Sequence, residues 1–320
     1  MSEITIKFTR LTANEAPKSE EEFRKIRGKA AIFKNGISNE RALELNLSNI
    51  KSKLPNDEVA LSFSLENDNM QAECPLHDYI DYCQGERELE LPCYDIDTGR
   101  TYVRRFIDEP IYLFQYNCEH EEVRSQFVSC PPFLGDWFDK YFPLFKAAAI
   151  YGHMHTWFFI GPKGTKSEMH SDHDFVHTTI QQLDGAKRFF LLSPKDLLNA
   201  KHHLGEAFLK YLEFELISDG ECRVKSIKGS PDLGFLRGVE LYCGDIQKHD
   251  LVYLPNGWGH YAKSLTPSLS VSRDFIDDTN ADLYLFSGVF LSGTFERLKS
   301  VIDNRYLTEI LIKNELLQEA

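Results

Sequence analysis

Apolar and polar positions alternate with two different periods along this chain. In the first hundred residues the signals are mixed. Ser19-Glu20-Glu21-Glu22 reads as a capping box, with Ser19 as N-cap and Glu22 at the third helical position, and it predicts a short helix through Phe23 and Ile26. Ala30 to Phe33 is a short apolar run that ends at the turn signal Asn35-Gly36. Residues 38–53 carry Leu43, Leu47 and Ile50 at helical spacing and predict a helix. Leu61-Ser62-Phe63-Ser64-Leu65 alternates as a strand does, and Leu76, Tyr79, Ile80 and Cys83 mark one face of a helix stopped near Gly85.

From about residue 100 short extended runs dominate. They are Tyr102–Ile107, Ile111–Tyr116, Thr156–Ile160, Thr178–Leu183, Arg188–Leu192, Leu251–Leu254 and Ser268–Phe275, many bounded by Gly, Pro, Asp or Asn. Many short strands between turn signals predict a sandwich, barrel or jelly roll. Residues 203–240 interrupt them as a mixed insert. Phe295, Leu298, Ile302, Ile310, Leu311 and Leu317 approximate an apolar helical face over about 294–318, suited either to packing on its own domain or to a homodimer seam. The expected organisation is an N-terminal helix-and-strand cap (1–100), a β-rich domain (101–290) and a C-terminal helical segment (291–320), mainly β with flanking helices (α+β).

Composition narrows the setting. At 320 residues the chain is one large domain or two small ones. Thirty-six Lys plus Arg against forty-nine Asp plus Glu leave a net charge of −13, which disfavours a nucleic-acid binder and permits a basic partner such as a Lys/Arg-rich peptide. The opening MSEITIKFTR has no apolar signal core, and no uncharged apolar run reaches the roughly 18 residues a membrane helix needs. Seven cysteines (74, 83, 93, 118, 130, 222 and 243) form no CxxC pair and suit a reducing compartment, each as a small buried hydrophobe. These features predict no membrane association and a cytoplasmic protein, or a nuclear one in a eukaryote.

The candidate chemistry centres on His170 and Asp172. On an extended strand, residues two apart share a face, so an imidazole and a carboxylate converge on one point. One more histidine would complete the two-His-one-carboxylate facial triad of non-haem Fe(II) oxygenases, which leaves three octahedral positions open for a bidentate co-substrate and dioxygen. His260, in a second strand–turn–strand segment that starts at Leu251, is the expected third ligand. Thr178 to Pro194 reads as strand, tight turn, strand, with Lys187 opening the second strand. A lysine pointing into an apolar barrel needs an anion, which the distal carboxylate of 2-oxoglutarate would supply. Ser272 could offer its hydroxyl to the same carboxylate. His153 and His155 are also two apart but lack a third partner. His177 reads as a surface or core residue, His202 and His203 as solvated, and His249 as a loop residue.

With these motifs in place, the sequence resembles the Jumonji C (JmjC) group of Fe(II)- and 2-oxoglutarate-dependent oxygenases, nearest to the small JmjC hydroxylases that include the lysyl hydroxylase/arginine demethylase-type branch. The likeness runs from about Phe23 to Phe275 and is densest at Asp78–Tyr82, Pro110–Phe114, Trp157–Lys187 and Asp250–Phe275. It implies a cupin-like double-stranded β-helix, His170, Asp172 and His260 as iron ligands, and Lys187 as the salt-bridge partner of 2-oxoglutarate. It also implies Tyr112 and Trp157 at the co-substrate pocket, and Ser167 and Ser272 where relatives often carry Thr. Ile180 and Asp274 stand where Asn is common. His173 and Asp274 are candidate substrate contacts.

The activity implied is hydroxylation of a C–H bond with Fe(II), 2-oxoglutarate and O2. The expected substrate is a cationic Lys or Arg side chain in a protein or peptide, and on an N-methyl group the outcome would be demethylation. A free amino acid or natural-product intermediate is the alternative substrate. A non-oxygenase cupin-type binding protein is the alternative class, against which Lys187 argues.

Overall fold

The computed structural model describes residues 2–63, 70–117, 131–137, 156–172, 175–205 and 209–285. The expected C-terminal helix, His153, His155, His173, Cys118 and Cys130 lie outside the described residues. In chain order the strands are β1 (Glu3–Arg10), β2 (Ala13–Glu15), β3 (Ala31–Lys34), β4 (Glu58–Leu61), β5 (Met70–Pro75), β6 (Leu89–Asp95), β7 (Arg100–Phe106), β8 (Leu113–Tyr116) and β9 (Thr156–Gly161). They continue as β10 (Lys166–His170), β11 (His177–Asp184), β12 (Lys187–Leu192), β13 (Leu212–Ser218), β14 (Glu221–Ser226), β15 (Leu241–Ile246), β16 (Leu251–Leu254), β17 (Gly259–Ser264) and β18 (Ser268–Phe275). The helices are α1 (Glu20–Arg24), α2 (Glu40–Glu44), α3 (Leu76–Gln84), α4 (Pro194–Leu204) and α5 (Ala281–Leu285).

Two seven-stranded sheets, ordered β10-β17-β12-β15-β1-β14-β13 and β2-β3-β16-β11-β18-β9-β8, form a jelly roll, and β4-β5-β6-β7 make a separate small sheet. The turn at Asp184-Gly185-Ala186 is not a hairpin. It carries the chain from β11 in one large sheet to β12 in the other, as the turn after β16 does towards β17. Between the sheets Ile180, Val252 and Leu254 meet Phe189, Leu191 and Ala262. Every second residue of β12 therefore faces the lumen, and Lys187 opens that series.

Both sheets are covered outside. Phe190 and Leu192, the opposite face of β12, pack against Leu197 and Leu204 of α4 and Phe214 of β13. The N-terminal cap lays Tyr79 and Ile80 of α3 against Phe158, Ile160, Leu269 and Val271. The Tyr79 hydroxyl lies 2.8 Å from the Ile160 carbonyl and 3.0 Å from that of Ile111, and it accepts from the Leu113 N–H at 2.9 Å, pinning β8 and β9 to the cap. Cys74, Cys83, Cys93, Cys222 and Cys243 are buried free thiols.

Local expectations held in part. Ser19 caps α1 by accepting from Glu22 N–H at 3.3 Å, while the Glu22 carboxylate reaches the Lys18 N–H rather than that of Ser19. Gly85 ends α3 in the left-handed region at φ 75°. The helix expected over 38–53 is instead two pieces, α2 and a single 3-10 turn at Ile50–Ser52. Between them the side chains of Asn46 and Asn49 accept from each other's backbone N–H at 3.1 and 2.9 Å, and Asn49 donates to the Glu44 carbonyl at 2.8 Å. These short polar groups outbid the helical ladder. The strand expected over Leu61–Leu65 ends at Leu61, with Ser62 bridging to Tyr112, and residues 64 and 65 lie outside the described residues. Within the stretch 203–240, the hairpin β13–β14 extends a large sheet through β1.

Candidate metal centre

β10 and β17 run antiparallel with His170 opposite His260, and a bulge interrupts the ladder between Ser167 and His170. The two imidazole centroids are 4.1 Å apart. Asp172 sits just past the end of β10 rather than on it, so it joins the site from the irregular backbone after the strand and not through strict strand alternation. Its Oδ1 lies 4.0 Å from His170 Nε2 and 3.9 Å from His260 Nε2. All three donor atoms fall within 4.8 Å of one another, the sole such cluster of His, Cys or acid groups among the described residues. Donors each bonded at about 2 Å to one ion sit closer together than this, so the three side chains would draw inward by about 1 Å on binding one.

The protonation pattern suits a cation. The His170 Nδ1–H donates to the Glu168 carbonyl at 2.6 Å, which leaves the Nε2 lone pair facing the cluster. Burial, and then the neighbouring His170 ring, hold the His260 pKa below its ordinary value, against the upward pull of Asp172 and of the Trp258 carbonyl. His260 is therefore neutral at pH 7, the form that ligates a metal. Two imidazoles and one carboxylate are the donor set of a facial triad.

Lys187 opens β12 and is 3% exposed. Its ammonium donates to the Tyr112 hydroxyl at 3.0 Å and lies 5.5 Å from the ring centroids of both Tyr112 and Phe159. No carboxylate among the described residues pairs with it, and burial lowers its pKa to about 7. Among the described residues this buried cation has a phenol and two aromatic faces beside it, surroundings that an anion would complement.

The remaining expected residues fall around this axis. Trp157 is half-buried on β9 two residues before Phe159, hence on the same face, and pairs in register with Ser272 of β18. Ser272 is buried and lies opposite Ile180 of β11. The Ser167 hydroxyl accepts from the Ala262 N–H at 3.1 Å, bracing β10 against β17. Asp274 is 6% exposed, with Oδ1 2.8 Å from the Thr178 hydroxyl, and that hydroxyl also lies 2.6 Å from Asp172 Oδ2. The structure thus brings His170, Asp172 and His260 together, and Lys187 with Tyr112. Phe114, Phe159 and Thr178 were not anticipated. The Phe114 ring is 5.2 Å from Phe159 and 6.4 Å from His170, linking the lysine end of the lumen to the histidines. Phe159 was within reach of the i, i+2 rule from Trp157, whereas Thr178 is recognisable only once β11 is paired with β18.

Other histidines serve elsewhere. His177 is buried, accepts from the Asn256 N–H at its Nδ1 and sits 3.0 Å from Thr279 Oγ1 and 3.3 Å from Asp277 Oδ1 at its Nε2. His202 and His203 are exposed, and His249 lies in the turn before β16 with its Nε2 3.1 Å from the Leu43 carbonyl.

The family model described as a cupin-like domain matches residues 27–278, most of the chain. The chain belongs to the cupin-like family. Two curated relatives are similar to part of the chain. It is 33% identical over 114 residues to the Jumonji C domain-containing protein 5 of Drosophila melanogaster, covering 35% of this chain and 25% of the fly protein. It is 31% identical over 121 residues to the Lysine-specific demethylase JMJ30 of Arabidopsis thaliana, covering 37% of this chain and 25% of the plant protein. The alignments therefore span about a quarter of the length of each curated relative. JmjC domains form an oxygenase family whose members use Fe(II) and 2-oxoglutarate. No helix among the described residues is long and apolar enough to cross a membrane.

Proposed function

We propose that this JmjC domain is an Fe(II)- and 2-oxoglutarate-dependent oxygenase that hydroxylates a C–H bond of a cationic Lys or Arg side chain in a protein or peptide. The observation that carries the reading is Lys187, a buried ammonium without a carboxylate partner among the described residues, in the same lumen as a His-Asp-His cluster. A metal site alone would suit many cupins, but the added lysine asks for an acid between itself and the metal. His170, Asp172 and His260 would hold the metal, and Lys187 with the Tyr112 hydroxyl would anchor the distal carboxylate of 2-oxoglutarate. With dioxygen, the bound iron and 2-oxoglutarate supply the oxidising power for C–H hydroxylation.

The chain's own residues do the rest. Phe114 and Phe159 wall the lumen between Lys187 and His170 and exclude water, which strengthens the ammonium–carboxylate bond. The Glu168 carbonyl holds the His170 ring in its ligating orientation. The cationic substrate is favoured by the net charge of −13 and by the likeness to a protein named a lysine-specific demethylase. Hydroxylation of an N-methyl group would release formaldehyde, so formaldehyde from methylated peptides separates demethylation from stable hydroxylation.

Succinate production from 2-oxoglutarate by the full chain with Fe(II), alone and with panels of Lys/Arg peptides and free amino acids, tests the reading. Stimulation by a peptide is the expected outcome. Stimulation by a free amino acid alone would favour the small-molecule alternative. Neither succinate nor 2-oxoglutarate binding would favour a non-oxygenase cupin.

A further inference from the structure

We propose that Thr178 and Asp274 are positioning residues for Asp172, a chain of side chains that decides which of its oxygens faces the two histidines. This rests on reading His170, Asp172 and His260 as a metal site.

The two oxygens of Asp172 are employed differently. Oδ1 points to both Nε2 atoms, at 4.0 and 3.9 Å, while Oδ2 is taken by the Thr178 hydroxyl at 2.6 Å. Asp172 lies beyond the last residue of β10, where no ladder fixes the backbone, so a side-chain tether has the larger share in setting its direction. Thr178 suits the task. It is 3% exposed at the second position of a buried strand, and its β-branched side chain has few rotamers, so its hydroxyl is aimed by packing. A carboxylate with one oxygen already occupied offers the other to an ion, and single-oxygen ligation keeps more coordination positions open.

Asp274 completes the chain. It stands opposite Thr178 in the β11–β18 register, and its Oδ1 is 2.8 Å from the same hydroxyl. A hydroxyl has one proton and two lone pairs. Thr178 donates its proton at the shorter contact, to Asp172. Asp274 Oδ1 then lies on the far side of the hydroxyl and limits how far it can turn from Asp172. An asparagine at 274 would present an N–H to the same oxygen, whereas a leucine would leave the hydroxyl free to turn away.

Anaerobic titration of the full chain with Co(II), followed through its visible d–d bands, reads both affinity and ligand geometry. His170→Ala is the control, and melting of the metal-free proteins shows which variants keep the fold. Thr178→Val should weaken Co(II) binding about 10- to 100-fold and alter the band shape, while Thr178→Ser stays within about threefold of the parent. Asp274→Asn should bind as the parent does, and Asp274→Leu should weaken binding as Thr178→Val does. If Thr178→Val does not fold, Thr178→Ala takes its place with the same expectation.

Parent-like affinity and spectrum in Thr178→Val, with binding lost in His170→Ala, would overturn the positioning role. Parent-like binding in Asp274→Leu would overturn the bracing role of Asp274. Undiminished binding in His170→Ala would instead sink the metal-site reading on which the inference rests.

Discussion

Burial lowers the Lys187 pKa to about 7, so the empty lumen loses its positive charge as the pH rises through neutrality. A bound dicarboxylate favours the charged form and raises that pKa. Binding above pH 7 therefore takes up a proton, and affinity falls as pH climbs, approaching tenfold per unit. The 2-oxoglutarate dissociation constant, followed by anaerobic calorimetry, should be level below about pH 6 and rise beyond 7. Lys187→Met should cost roughly 1.5–3 kcal/mol, about 10- to 100-fold in affinity, and flatten the profile. An inflection near 7 that survives the substitution would assign it to another group. At this scale the sequence pointed to His170, Asp172 and His260, which the fold gathers into one cluster, and to Lys187, which it buries, because these residues are chemically conspicuous at their spacing. It was silent about Thr178, an ordinary strand threonine until a partner strand places two carboxyls beside it.

The crossing between the sheets depends on Gly185. Its φ is +72°, and a Cβ there would lie 2.0 Å from the Pro267 carbonyl oxygen, a backbone atom that cannot swing aside. Gly185→Ala should therefore destabilise the fold by at least 2 kcal/mol, through both strain and overlap, as read from urea unfolding. Because this turn hands β11 to β12, the same variant should also loosen the placement of Lys187. A variant as stable as the parent would mean that β12 can enter its sheet by another path. Elements that rest on alternation and capping were legible beforehand: β18 spans Ser268–Phe275 as its pattern predicts, and α3 stops at Gly85. The helix over 38–53 failed because period alone ignores what Asn46 and Asn49 do to the backbone. β1 and α4 escaped notice, although Glu3–Arg10 alternates and Ser193-Pro194 is a sound helix start, with the Ser193 hydroxyl accepting from Asp196 N–H at 3.2 Å.

For the whole molecule, strand count and turn spacing announced a jelly roll, yet which strand lies beside which was not in the local pattern. Pairings such as β1 with both β14 and β15 join residues more than two hundred positions apart, and only the closed pair of sheets selects them. That closure also links the site to global stability. An ion bound to the folded chain and not to the unfolded one should stabilise it by about 2.7 kcal/mol at a hundredfold excess over its dissociation constant, a rise in melting temperature on the order of 5 °C. Chelator should reverse the shift and His170→Ala abolish it, as followed by calorimetry. An unchanged melting temperature with Fe(II) or Mn(II) would argue against a metal held by this fold.

The pairing of His170 with His260 has one more consequence. β10 is the outermost described strand of its sheet, and outer strands fray first. An ion shared by these two positions closes a loop of 260 − 170 = 90 residues, a cross-link whose chain-entropy ceiling is roughly 4–5 kcal/mol by analogy with a covalent bridge. Escape of the ion and detachment of β10 then become a single event. Amide hydrogens along β10 should exchange with solvent at a pace set by how long the metal stays.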